Sequence, residues 1–271
     1  MKPHVPYANE WCCDASAISG FKVSDLQFAT VLSVLALAAF VQGMFGLGFA
    51  MIATPLLALF LDYQTAMWLA AVPLLVLAIY WLVVNRQCLG RSGIPWTLLP
   101  GIASGAVLGV VLQLVLPERA SLLMLAALIV FSVVLPFLQR RWKPDNAIVG
   151  VRSAPLFGLL AGVTEAALNV GAPFMVLFAG LARLSRIQLL IVLNVCFALG
   201  KVIQIALLMF LAPVAAVSPL LLAAGVLLSL LVFRVGDRFA GRLPERVFHM
   251  WLRIFLLAMS ALLIVRSQFE V

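Results

Sequence analysis

The stretch from Gln42 to Pro55, QGMFGLGFAMIATP, puts Gly43, Gly46 and Gly48 close together inside a long apolar run, with a proline seven residues after the last of them. Glycine disfavours a helix interior by about 1 kcal/mol relative to alanine, and proline by about 3 kcal/mol. The stretch is therefore either a weakened spanning helix or a break with a purpose, and the rest of the chain decides which.

Of the 271 residues, 65% are hydrophobic and 10% charged, and the mean hydropathy is +1.18. That excludes an ordinary water-soluble domain. A bilayer core of about 30 Å takes roughly 20 apolar residues per helical crossing, and backbone in lipid must hydrogen-bond to itself. The expected fold is an all-α integral membrane protein with about 8 to 10 membrane segments. Residues 1–25 carry Lys2, His4, Glu10, Asp14, Lys22 and Asp25 and lack the basic start and short apolar core of a cleaved signal peptide. They read as a polar extension. Cys12, Cys13, Cys88 and Cys196 form no CxxC pair, and Cys12 and Cys13 would bridge only with strain. With His4 and His249 far apart as well, neither a metal site nor a cofactor is expected. The net charge of +8 points to cytoplasmic loops rather than to nucleic acid.

Apolar segments run over 26–43, 49–61, 65–84, 94–116, 119–138, 153–167, 171–182, 187–211, 217–235 and 247–265. The segment 49–61 is too short to span and follows the glycine cluster; 153–167 and 171–182 form a second short pair, meeting at LNVGAPF. PLLALF (55–60) reappears as PFMVLF (173–178) after the second break. GVVLQLVLPER (109–119) has a counterpart in GDRFAGRLPER (236–246), sharing the glycine and the LPER tetrad at equal spacing. Two matches in one order argue for duplication. Each LPER puts a proline and a glutamate where a helix would begin, which suits the missing donor and the positive dipole end.

The chain thus divides into a polar extension (1–25), a first membrane repeat (26–138), a basic cytoplasmic loop (139–152) and a second repeat (153–271). Each repeat holds one broken helix pair and three transmembrane helices. If each broken pair starts and ends on one side, the cytoplasmic loops carry 12 of the 18 basic residues: Arg86, Arg91, Arg140, Arg141, Lys143, Arg152, Arg183, Arg186, Arg234, Arg238, Arg242 and Arg246. If each pair crossed once, the six arginines from Arg183 to Arg246 would move outside, against the positive-inside bias. The first arrangement makes the repeats inverted in topology. It leaves Lys2, Lys22, Arg119 and Arg266 outside, and both termini external to the cytoplasmic membrane.

Inverted repeats with discontinuous helices are the architecture of many secondary transporters, whose midplane site is built from the exposed backbone of the breaks. Half-helices beginning near Ala53-Thr54-Pro55 and Ala172-Pro173 would offer unpaired N–H groups and positive dipole ends to an anion. Gly43, Gly46, Gly48 and Gly171 are the break glycines, and Pro55 and Pro173 the helix-starting prolines. Gly101, Ser104, Gly105 and Gly109 in GIASGAVLG read instead as close helix packing.

Ionisable residues within a membrane are costly and point to function. Lys201 lies 14 residues into the segment from 187, and Asn194, Lys201 and Gln204 share one helical face. Two readings of Lys201 stand: it holds an anion, or it pairs only with Glu165 in GVTEAALNVGAP. Glu165 sits at the second break beside Thr164 and four residues before Asn169, and proton coupling is its candidate role. Gln42 and Thr54 hold comparable places in the first repeat without charge, and Tyr80 is the weakly aligned counterpart of Lys201. His249, Trp251 and Arg253 suit an interfacial anchor. Cys88 and Cys196 suit small apolar positions.

On these residues the chain resembles the sulfite exporter TauE/SafE family, also described as the TSUP permeases. QGMFGLGFAMIATPLLALF (42–60) looks like the family's first glycine-rich motif, and AGVTEAALNVGAPFMVLF (161–178) takes the place of the second. The resemblance implies a carrier of small sulfur-containing anions such as sulfite, sulfoacetate or other organosulfonates. It carries Gly43, Gly46, Gly48, Pro55, Gly171 and Pro173 over as motif positions. The second motif departs from the family's glycine-rich pattern: Ala166, Ala167, Leu168 and Asn169 precede a single Gly171.

Two rival classes are weaker. An intramembrane protease would use a serine such as that of IASG (102–105), but no histidine lies in the surrounding helices. An anion channel, or a carrier for non-sulfur anions, needs no different fold, but a channel needs more pore-lining polar residues than Asn194, Lys201, Gln204 and Glu165. The expectation is a non-enzymatic secondary transporter working by alternating access, its small anion held by Lys201, Asn194, Gln204, Asn169, Gln42, Thr54 and the break backbone.

Overall fold

A computed structural model describes residues 25–89, 95–141, 152–211, 217–240 and 245–268. Most of the 1–25 extension, with His4, Cys12 and Cys13, lies outside the described residues, as do Arg91, Lys143 and Arg242 and the side chains of Arg140, Arg141, Arg246, His249, Trp251 and Arg253. Among the described residues every regular element is an α-helix. They are α1 (Asp25–Phe45), α2 (Phe49–Leu57), α3 (Tyr63–Val84), α4 (Arg86–Leu89), α5 (Leu98–Val115), α6 (Glu118–Arg141), α7 (Ala154–Leu168), α8 (Ala172–Leu181), α9 (Arg186–Leu211), α10 (Pro219–Phe239) and α11 (Glu245–Ser267).

Six apolar helices are long enough to cross a bilayer: the spans Leu26–Phe45, Tyr63–Val84, Leu98–Val115, Glu118–Leu135, Arg186–Leu211 and Pro219–Phe239. Ala154–Leu168, Ala172–Leu181 and Ile254–Ser267 are shorter apolar helices. At nine residues, α2 spans only about 14 Å and cannot cross alone. The protein is a multi-pass helical membrane protein.

α3 and α9 pack on one another at the centre. Around them the contacts are reciprocal between the halves of the chain. α1 lies along α10 as α7 lies along α5; α10 touches α3 as α5 touches α9; α2 meets α11 as α8 meets α6; and α6 pairs with α11.

The two longest seams are closed by glycine. A β-carbon at Gly105 would stand 2.2 Å from the Leu159 carbonyl oxygen, and one at Gly162 would stand 2.3 Å from that of Ile102. The α5 and α7 backbones therefore touch directly, as small-residue membrane interfaces permit. Ser104, expected on that seam, is exposed on another face of α5, its hydroxyl donating back to the Pro100 carbonyl at 2.8 Å. A serine on a lipid-facing helix satisfies itself this way, within its own turn. Across α1 and α10, β-carbons at Gly43 and Gly236 would meet the carbonyl oxygens of Phe233 and Phe40 at 2.2 and 2.4 Å.

The helix ends near the first LPER are tied together. Asp62 caps α3, its Oδ2 accepting from Thr65 N at 2.8 Å. Glu118, at the start of α6, accepts from Tyr63 N at 2.9 Å and lies 3.5 Å from Arg266 of α11. Its carboxylate thus serves the first turn of α3 as well as its own helix. In the second tetrad, Leu243 and Pro244 lie outside the described residues, and α11 begins at Glu245.

Candidate functional site

Each break is held by one side chain reaching forward across it. In the first, Gly46 and Gly48 adopt φ of +77° and +117°, a region closed to most side chains. Gln42 spans the gap: Oε1 accepts from Phe49 N at 3.0 Å, and Nε2 donates to Gly46 O at 3.2 Å. One N–H left free by the start of α2 is thereby satisfied. In the second break the left-handed residue is Asn169, with φ +59°. Asparagine tolerates that conformation better than most residues, which explains how the motif dispenses with a glycine there. Glu165 takes the bridging role, its Oε2 accepting from Gly171 N at 2.9 Å.

The prolines part company here. Pro173 lies in the first turn of α8 behind Gly171, as expected. Pro55 lies inside α2, which begins six residues earlier at Phe49, so the expected start near Ala53-Thr54-Pro55 is corrected. The positive φ of Gly48, not the proline, sets the end of that helix.

Lys201 is fully buried on α9, and Glu165 beneath it is fully buried too. Its ammonium stands 2.9 Å from Glu165 Oε1 and donates to the Glu165 carbonyl oxygen at 2.8 Å, to Gln204 Oε1 at 2.8 Å and to Asn169 Oδ1. Four oxygens thus surround three hydrogens. Glu165 Oε1 has the ion pair but no directed hydrogen bond. Room for the carboxylate comes from glycines: a β-carbon at Gly171 would lie 2.9 Å from Glu165 Cβ, and one at Gly200 would lie 3.1 Å from Glu165 Cγ.

Asn169 joins the breaks. Its Nδ2 donates to Thr54 Oγ1 of α2 at 3.1 Å and to Met67 O of α3 at 3.3 Å, while its Oδ1 faces Lys201. Seven of the sequence-expected residues therefore fall into two connected groups: Lys201, Glu165, Gln204, Asn169, Gly171 and Thr54 in one, with Pro173 at its edge. Gln42, Gly46 and Gly48 form the first break itself. Gly43 faces α10, away from this cluster. Asn194 is buried but bonds within its own helix, Nδ2 to Leu190 O at 2.8 Å. Tyr80 meets Arg234 of α10, accepting from its Nε at 2.9 Å beneath a guanidinium 5.2 Å from the ring centre. Cys196 is buried and Cys88 exposed.

One buried polar residue was not expected at all. Gln113, on α5, accepts from Gln204 Nε2 at 3.0 Å and donates to Gln64 of α3 at 3.1 Å. A lone glutamine in VVLQLV has no sequence partner to announce it; its partners come from other helices.

Burying a lysine and a glutamate in an apolar interior is tolerated only when they are paired and hydrogen-bonded, as here. Such a pair is weak support for stability and marks a functional place in a membrane helix. No curated protein and no solved structure matches the chain significantly. The family model described as "Sulfite exporter TauE/SafE" matches residues 31–263, a range that holds both breaks and the whole Lys201 cluster. By that match the chain is a membrane transporter and belongs to the sulfite exporter TauE/SafE family.

Proposed function

We propose that the protein carries a small sulfur-containing oxyanion, sulfite or an organosulfonate such as sulfoacetate, by alternating access around Lys201. The observation that carries this reading is the convergence of both breaks on one buried cation: Asn169 of the second bonds Thr54 beyond the first and also faces the ammonium. A tetrahedral or pyramidal oxyanion suits a site made of one positive charge and several N–H donors. Proline-started α8 and the uncapped first turn of α2 add backbone donors and positive dipole ends.

The ammonium's hydrogens are engaged in the conformation described, so an anion must compete with Glu165. A proton on Glu165 Oε1, the oxygen without a directed hydrogen bond, would cancel the carboxylate's charge and release Lys201 to the anion. Anion and proton would then move together, and the empty carrier would reset with its internal ion pair.

Inverted repeats give the two access states. The reciprocal helix contacts support this, as does one detail of the seams: Gly109 approaches Val163 O at 2.5 Å, and Gly236, its LPER-aligned counterpart, approaches Phe40 O at 2.4 Å. Val163 and Phe40 each lie two residues before the bridging Glu165 or Gln42. The fit extends the sequence match to positions with no sequence likeness.

Purified protein in liposomes tests the reading. Saturable uptake of labelled sulfite or sulfoacetate, with counterflow and stimulation by an inward proton gradient, is expected. Large currents that never saturate would identify a channel and overturn it.

A further inference from the structure

Lysine carries donors only, so Gln204 must turn its carbonyl oxygen to Nζ, leaving Nε2 to donate elsewhere. Nε2 gives one hydrogen to Ala166 O at 2.7 Å and the other to Gln113 Oε1 at 3.0 Å. Gln113 then donates from Nε2 to Gln64 Oε1 at 3.1 Å. The ammonium thereby fixes the direction of every amide in the chain, each with its positive end turned away from Lys201.

Hydrogen bonds in series polarise one another, most strongly where the dielectric is low. The chain starts at a lysine with no exposure and ends at Gln64, which is exposed in the first turn of α3. Gln113 itself is buried, two residues before the end of α5. Burying an amide in an apolar helix costs free energy unless it is bonded, and packing does not explain this one: α3 and α5 touch over very little of their length. The amide pair bridges a seam between two helices. Described charges near that end offset one another, Asp62 and Glu118 against Arg119 and Arg266, so the amide chain decides the local preference.

We propose that Gln64, Gln113 and Gln204 line the route by which the oxyanion reaches Lys201, from the end of the protein where α3 begins and α5 ends. They are positioning residues: their N–H groups extend the lysine's positive potential to the surface and hand the anion inward. The proposal rests on the anion-site reading above, under whose inverted orientation this end is external.

The test uses full-length protein in which Cys12, Cys13, Cys88 and Cys196 are replaced by serine, reconstituted in oriented vesicles, carrying Gln64→Cys or Gln113→Cys. Two membrane-impermeant methanethiosulfonates, one bearing a sulfonate and one an ammonium, are added on either side. Both cysteines should react from one side only. Relative to the reagents' rates on free cysteine, the sulfonate should gain about tenfold, the scale of electrostatic focusing in a cleft. The double change Lys201→Gln with Glu165→Gln should abolish that gain. Failure to react from either side, equal reaction from both, or a gain that survives the double change would overturn the route. Gln64→Cys, at the exposed end, carries the same test if Gln113→Cys does not fold. Sulfite binding to the double variant separates the two proposals: retained binding removes the anion site, whereas lost binding with unreactive cysteines removes the route alone.

Discussion

At the first break the Gln42 oxygen accepts from Phe49 N at 3.0 Å; at the second the Glu165 oxygen accepts from Gly171 N at 2.9 Å. The geometry is shared and the chemistry is not. A neutral amide suffices to close the first break, so the charge at the second is not needed for closing it. That charge in turn requires Lys201, and the lysine draws in Gln204 and Asn169. Comparing the breaks separates what holds the backbone from what the site is for: the glycines, Gln42 and the capping half of Glu165 belong to the first, and the ion pair to the second.

The largest expected effect comes from stripping the second break of half its pair. Lys201→Ala leaves a buried lone carboxylate and should cost about 3–5 kcal/mol, seen as a lower unfolding midpoint in detergent. Lys201→Gln with Glu165→Gln, which makes this break resemble the first, should recover most of that stability. A smaller effect follows from moving the charge to the wrong break. Gln42→Leu orphans Phe49 N at about 1–3 kcal/mol, and Gln42→Glu, which keeps the acceptor but adds an uncompensated charge, should do worse. If Gln42→Glu were neutral, the first break would have a cation or water route of its own.

Backbone demand gives the next step down. Gly48→Ala, at φ +117°, should cost about 1–3 kcal/mol. Asn169→Gly should hold its turn yet weaken sulfite binding about tenfold, the worth of one charge-assisted hydrogen bond. Smallest of all is Asn194→Leu. Its side chain bonds only within α9, among the bonds described, so stability should move by about 0.5 kcal/mol and sulfite affinity should stay put.

Much of the helical layout is legible in the sequence because lipid enforces it: apolar runs of spanning length have no other way to pair their backbone. Each of the ten apolar segments falls on a helix. The glycine cluster also marks the first break correctly, since positive φ needs glycine. Pro55 misleads because a proline is equally compatible with a first turn and with the interior of a short helix near its end. Gly43 is indistinguishable in sequence from Gly46 and Gly48, yet it faces α10; only the neighbouring Phe233 and Gly236 reveal that. The Lys201–Glu165 pair is readable because two opposite charges in apolar segments must meet. Gln113 is not, because an amide gives no such rule and its partners lie 49 and 91 residues away.

The claim at the centre is that the charge of Lys201 holds the anion. Its most direct measurement is sulfite and sulfoacetate affinity, by equilibrium binding in detergent, of the folded Lys201→Gln, Glu165→Gln double variant beside the unaltered protein. Loss of binding by at least about a hundredfold, the worth of a buried charge-assisted contact, is the expected result. Unchanged affinity in a variant with an unchanged unfolding midpoint would contradict it.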